Sequence, residues 1–431
     1  MRLRNRNPRF QSLVALRFVA AASCLLSLAC GRSSPSSLQE AWDWRNRPEI
    51  FSADYQKKFA QLPLKGTSIK PWSDSYWPSR AAGIASRWNG SWPDDQFTFP
   101  LLTKEEIKQK SLRELAALSP AEKYDIFVGN EDYPMVHHER SRTSPNRPGW
   151  EGLCHGWAPA SVNFKEPNPV IVENDEGIKV PFGSSDIKGL LALLQGNYYT
   201  GRTRFLGGRC NQNISAHPER ALDPECKDVN AGTFHLVLTN EIGIREKPFM
   251  MDVTRDFEVW NHPVFQYQSR VVTEQEPSRE AAPGTVKEVI VATDVTYGAE
   301  TFPQWERLED EDSNVKLYVS YQYRLELDQE GEIIGGEWLD LPRPDFLWAQ
   351  DPAEFVGIFS KLKKIYDASL AAAPGLKNPA FESEPSSDAA SSTSTESGPS
   401  TTDSTGVSSG SNEATTSSES PMIPPVITVA P

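Results

Sequence analysis

Apolar and polar positions divide the chain into a basic and apolar beginning, a mixed centre and a polar end. In the centre, residues 102–118 carry apolar side chains at helical spacing behind Thr103, Glu105 and Glu106, which predicts one capped amphipathic helix. Ser184, Ser185 and Asp186 open a second helical run over 187–194 that stops near Gly196. Alternation with a period of two predicts strands over 233–240, 248–253, 286–297, 316–327 and 332–340. Asp328, Gln329, Glu330 and Gly331 between the last two read as a hairpin turn. Helices therefore come first and strands later, and no internal repeat interrupts that order. This predicts an α+β fold with a helical first half followed by an antiparallel sheet.

The ends change the picture of how much chain is packed. Arg2, Arg4, Arg6, Arg9 and Arg17 precede or flank a short apolar run that finishes at Ala29, ahead of Cys30. The run is too short to span a bilayer and reads as a signal peptide over 1–29. Leu26 and Leu28 before Ala29-Cys30 fit a lipoprotein cleavage site with lipid on Cys30; small residues at Ser27 and Ala29 also fit a plain secretory signal. Either reading exports the protein, as an envelope lipoprotein or in secreted form. Residues 30–39 form a Ser-rich tether. Residues 378–431 contain no Lys or Arg and are crowded with Ser, Thr, Glu and Pro, so they bury too little apolar surface to offset their ordering entropy. That leaves 40–377, which holds all twelve tryptophans, as the packed central region. Loss of 1–29 removes five arginines and no acid, taking the formal net charge from −14 to −19. A surface so acidic excludes nucleic acid as a partner, because phosphate binding comes from clustered Lys and Arg.

Cysteine chemistry follows from the same bookkeeping of ends. Once Cys24 leaves with the signal and Cys30 is assigned to lipid, Cys154, Cys210 and Cys226 remain for an oxidising compartment. Cys210 and Cys226 are close enough in sequence to pair across a polar loop, and Cys154 is the odd thiol. It stands in Gly152-Leu153-Cys154-His155-Gly156-Trp157, after a loop rich in Pro and Gly. A loop running into a helix would put the sulfur at a helix N-terminus, exposed and favoured as thiolate. Pro159 requires either a tight turn before the helix or a bend at Ala158.

His235 in the run 233–238 alternates as in a strand, and Asp252 closes the strand that follows the turn 240–243. Antiparallel pairing of those two segments would bring the carboxylate beside the imidazole, with Cys154 as nucleophile, His235 as base and Asp252 as the orienting group. Asp228, Asn230 and Asp256 compete for the third role. His155 points away from its neighbour on a helix. His137, His138 and Glu139 read as surface, and no metal-ligand spacing follows them. Asp310, Asp312 and Asn314 begin like a calcium loop, but Val315 stands where glycine is needed. No phosphate-binding loop occurs, and no cofactor or metal is expected.

The stretch around Cys154 together with Val259-Trp260-Asn261-His262-Pro263-Val264 resembles the transglutaminase elicitor family of oomycete secreted enzymes, with this chain as a bacterial member. The resemblance implies a papain-like, transglutaminase-like fold with a Cys-His-Asp site, carried here by Cys154, His235 and Asp252. It implies protein substrates joined through glutamine and lysine side chains, with Trp150, Trp157 and Trp260 available to wall a dry tunnel. A papain-like peptidase or glutamine deamidase would use the same residues with water as acceptor. A surface lipoprotein without catalysis is the reading from another class, and the reactivity of Cys154 separates it from the enzymes.

Overall fold

The computed structural model describes residues 43–87, 96–223, 226, 228–308, 315–340 and 342–380. The signal segment 1–29, the tether 30–39, nearly all of the tail 378–431, and Asp310, Asp312 and Asn314 lie outside the described residues. Among those described, the helices are α1 (Lys104–Gln109), α2 (Leu112–Ala116), α3 (Pro120–Val128), α4 (Pro134–Arg142), α5 (Cys154–Asn163), α6 (Ser184–Asn197), α7 (Ala231–Val237) and α8 (Leu362–Ala371). The strands are β1 (Lys65–Thr67), β2 (Val170–Glu173), β3 (Lys179–Phe182), β4 (Arg204–Gly207), β5 (Phe249–Asp252), β6 (Asn261–Gln275), β7 (Lys287–Gly298), β8 (Lys316–Leu327), β9 (Ile333–Trp338) and β10 (Phe346–Ala349). The fold is α+β, as the order of patterns predicts. No described helix is long and apolar enough to cross a membrane.

The main sheet is antiparallel and runs β4-β10-β5-β6-β7-β8-β9, with β1 pairing the outer part of β6. Strand alternation splits the core along β5. Met250 joins Trp77, Trp157, Leu190, Phe346 and Trp348 on one face, while Phe249 and Met251 join Phe234, Leu236, Val264 and Leu347 on the other. Helices α3, α5 and α6 cover the first face and α7 covers the second. Within the first layer, Lys123 of α3 and Asp186 of α6 form a fully buried ion pair at 2.6 Å. Helix α5 crosses α6 so closely that a Cβ on Gly156 would stand 2.1 Å from the Ala192 carbonyl oxygen. Only glycine permits that approach.

Several elements differ from their sequence expectations. The run 102–118 is two helices, because Ser111 and Glu114 build a second capping box just after the one made by Thr103 and Glu106. The predicted strand 233–240 is helix α7, capped by Asn230 and continued by a π-helical turn over Leu238–Ile244. Every residue of α7 is buried, so its sequence carries no polar face to reveal a helical period. Glu139 is not on the surface: it is buried and paired with Arg142.

Cys210 and Cys226 form a disulfide. The Cys210 main-chain N–H donates to both carboxyl oxygens of Asp345, at 3.0 and 2.8 Å, which ties the bridged loop to the segment leading into β10. Serine at both cysteines is expected to lower the unfolding free energy by roughly 3 kcal/mol, since a loop of this size no longer restricts the unfolded chain. A urea midpoint of the double-serine variant below that of the oxidised wild-type protein checks this.

Candidate active site

Cys154 is the first residue of α5, and the helix runs through Pro159, whose missing N–H leaves the His155 carbonyl without its usual donor. The loop before it is shaped by a strap from the first part of the chain. The Tyr76 carbonyl accepts from the Leu153 N–H at 2.5 Å, Ser79 N–H donates to the Glu151 carbonyl at 2.7 Å, and the Tyr76 hydroxyl donates to the Gly149 carbonyl at 2.8 Å. A Cβ on Gly152 would lie 2.4 Å from that Tyr76 carbonyl oxygen, so glycine lets the strap reach the nucleophile loop. Trp77, next in the strap, is fully buried with φ of 47°, a strained conformation held by its indole bond to Asp74 at 3.1 Å.

The thiol is covered, contrary to the exposed sulfur expected from the sequence; Cys154 is 5 % exposed. Its Sγ donates to the Val259 carbonyl at 3.6 Å, and the Asn261 side-chain amide lies 3.7 Å from the sulfur. Tyr76 and Trp260 meet edge to face above this region at 5.7 Å. Burial pushes the thiol up to about 11; donation from Asn261 opposes the shift, while the charges of Glu300 and Asp252 add to it. Iodoacetamide labelling of Cys154 is therefore expected to be slow at pH 7 and to rise about tenfold per unit toward pH 11, because only the thiolate reacts. Rapid labelling at neutral pH would show an open, activated thiol.

The residues singled out in the sequence are not all brought together. Asp252 shares the face of Met250 by alternation and is the register partner of Asn261. Its Oδ1 accepts from the Trp260 and Thr254 main-chain N–H groups at 3.1 and 3.4 Å, and its buried Oδ2 has no partner. Desolvation raises the Asp252 carboxyl well above the usual range. His235 lies in the other layer, on α7. Its Nδ1 bonds the Tyr323 hydroxyl at 2.8 Å, its ring packs against Phe59 at 5.8 Å, and burial alone pushes it down to about 3. No hydrogen bond joins it to Cys154 or Asp252.

Another histidine stands beside helix α5. His262 packs edge to face on Trp157 of α5 at 6.0 Å and tilts against Tyr297 at 4.8 Å. Its Nδ1 meets the Gly298 carbonyl at 2.9 Å, and its Nε2 lies 3.8 Å from Glu300 Oε2. Burial raises the Glu300 carboxyl, with His262 pulling the other way, and Glu300 Oε1 has no partner. Asn261 is fixed by the Trp348 indole N–H, which donates to its Oδ1 at 2.8 Å. The sequence motif contains Asn261 and His262 but gives neither a role, and Glu300 and Trp348 carry no local signal at all. The rivals for the third position are otherwise engaged: Asn230 caps α7, Asp228 pairs with Arg343 and Arg255, and Asp256 accepts from the Glu258 N–H. His155 bonds Asn197. Of the three tryptophans, Trp260 packs on Tyr76, Trp157 is core, and Trp150 contacts Phe257 of the loop before β6. Among the described residues, no group of three His, Cys, Asp or Glu could hold a metal.

The family model described as Transglutaminase elicitor matches residues 137–356, a little over half of the chain. No curated protein matches this chain significantly. Among solved structures, the crystal structure of the GP42 transglutaminase from Phytophthora sojae shares the fold with a TM-score of 0.54 and 21 % identity, the likeness covering 75 % of this chain and 96 % of that one. The match includes helix α5 with Cys154 and the β5–β6 segment packed on it, and the chain belongs to the transglutaminase elicitor family.

Proposed function

We propose that this protein is a protein-glutamine γ-glutamyltransferase that works through a thioester on Cys154. The observation that carries the reading is the unpaired thiol at the start of α5, with the Asn261 amide against it in a site closed to water. An acyl donor displaces the Val259 carbonyl from the sulfur. The Cys154 thiolate then attacks the glutamine carboxamide carbon, the C–N bond breaks, and ammonia leaves with the proton taken from the thiol. A lysine amine attacks the thioester carbon, the C–S bond breaks, and the isopeptide bond forms with the thiol restored. Exclusion of water favours the amine over hydrolysis.

Cys154 and Asp252 are kept in this mechanism, and His235 is not. Proton transfer is assigned to Asp252, His262 and Glu300; burial raises both carboxyls above the usual range, which favours the form that holds a proton. The protein substrates are those presenting glutamine and lysine side chains. We assign the disulfide to an oxidising compartment, and the apolar start to an export signal cleaved before Cys30 with lipid on that cysteine. The test is incorporation of a fluorescent amine into casein by the mature, full-length protein, with ammonia release measured beside it. Ammonia without incorporation would make it a deamidase, and neither product would end the enzyme reading.

A further inference from the structure

We infer that the Asn261 side-chain amide is the hydrogen-bond donor that receives the acyl oxygen during attack by Cys154, and that Trp348 is the positioning residue that aims it. The inference rests on the reading of Cys154 as an acyl-transfer nucleophile. Its geometry has two fixed ends. The Trp348 indole nitrogen can only donate, so the amide atom 2.8 Å from it must be the carbonyl oxygen. The opposite atom, Nδ2, therefore faces the sulfur, at 3.7 Å. Orientation of the amide is thus decided by chemistry and not by choice of rotamer.

A carbonyl carbon bonded to Sγ would hold its oxygen within about 3 Å of such a donor, where preorganised N–H groups stabilise the developing oxyanion. Cys154 offers a second donor nearby, because the first residue of a helix has a main-chain N–H that no carbonyl of its own helix can take. Both ends of the amide are buried: Asn261 and Trp348 are almost entirely enclosed. Trp348 is itself held in the sheet, in register with Met250 of β5, so Asn261 of β6 is anchored across β5 to β10. This rigid mounting is what separates a catalytic donor from an amide that merely fills space, since no reorganisation is needed when charge appears.

Two reactions of the same sulfur test the assignment. Acylation by p-nitrophenyl acetate passes through an oxyanion, whereas alkylation by iodoacetamide does not. At one pH, Asn261→Ala is expected to slow alkylation only as far as the thiolate fraction falls when the amide no longer donates to the sulfur, and to slow acylation by about 100- to 1,000-fold beyond that. Trp348→Phe, which keeps the ring packing and frees the amide to turn, is expected to slow acylation by about tenfold beyond any change in alkylation. If acylation slows no more than alkylation in either variant, the residues are structural and the inference is overturned. Should Asn261→Ala fail to fold, Trp348→Phe decides alone. A wild-type protein that cannot be acylated also overturns it. A wild-type protein that is acylated with this dependence but incorporates no amine into casein leaves the inference standing and removes the transferase reading.

Discussion

Cys154→Ala is expected to lower amine incorporation by at least about 1,000-fold while leaving the protein folded. No other described cysteine can take over, because Cys210 and Cys226 are joined to each other. The change deletes one sulfur from a site whose packing is carried by Trp157, Leu153 and the α6 layer, so thermal unfolding should shift by only a few degrees. Steady-state incorporation and calorimetry on the same preparation read the two effects separately. Full activity in Cys154→Ala would exclude a thioester.

His235→Ala is expected to do the opposite. The imidazole is enclosed by Phe59 and Tyr323 in the α7 layer, so its removal leaves a cavity and a lost hydrogen bond, for a cost of about 3–5 kcal/mol. Turnover per folded molecule should remain near wild type. Because the ring stays neutral in the fold down to about pH 3 while an unfolded histidine takes up its proton near 6.5, His235 also weakens the fold as pH falls through that interval. His235→Phe should therefore lessen the loss of stability between about pH 6.5 and 3, read from urea midpoints along a pH series. A stable His235→Ala protein without turnover would restore His235 as the base.

These two expectations mark how far the sequence can be read. Strands β7, β8 and β9 were legible from their runs of β-branched and aromatic residues, with Gly331 at φ of 74° turning the hairpin between the last pair. Helix α7 was not, since a wholly buried helix and a buried strand are equally apolar, and only the Asn230 cap distinguished them. Strand β6 hides its length behind Pro263 and the charges of its exposed outer half. In the site, Cys154 announces itself through the loop before it and the parity of cysteines. The amide that faces it is 107 residues away in sequence, and the indole that fixes the amide is 87 residues further along. Separations of that size leave no periodic trace; they exist only once the sheet has formed. The same holds for His262 and Glu300, which meet through pairing of neighbouring strand ends.

The position of β10 bears on when the sheet can close. It is the last of the described strands in sequence, yet it lies between β4 and β5, two strands that precede it. Such an insertion brings together segments far apart in sequence, the kind of contact that folding makes late. Trp348 travels on that strand, so the amide opposite Cys154 acquires its fixed direction only when the sheet closes. A growing chain carries the thiol long before it carries the indole. Under the acyl-transfer reading proposed above, the chemistry of Cys154 starts only with the completion of the sheet.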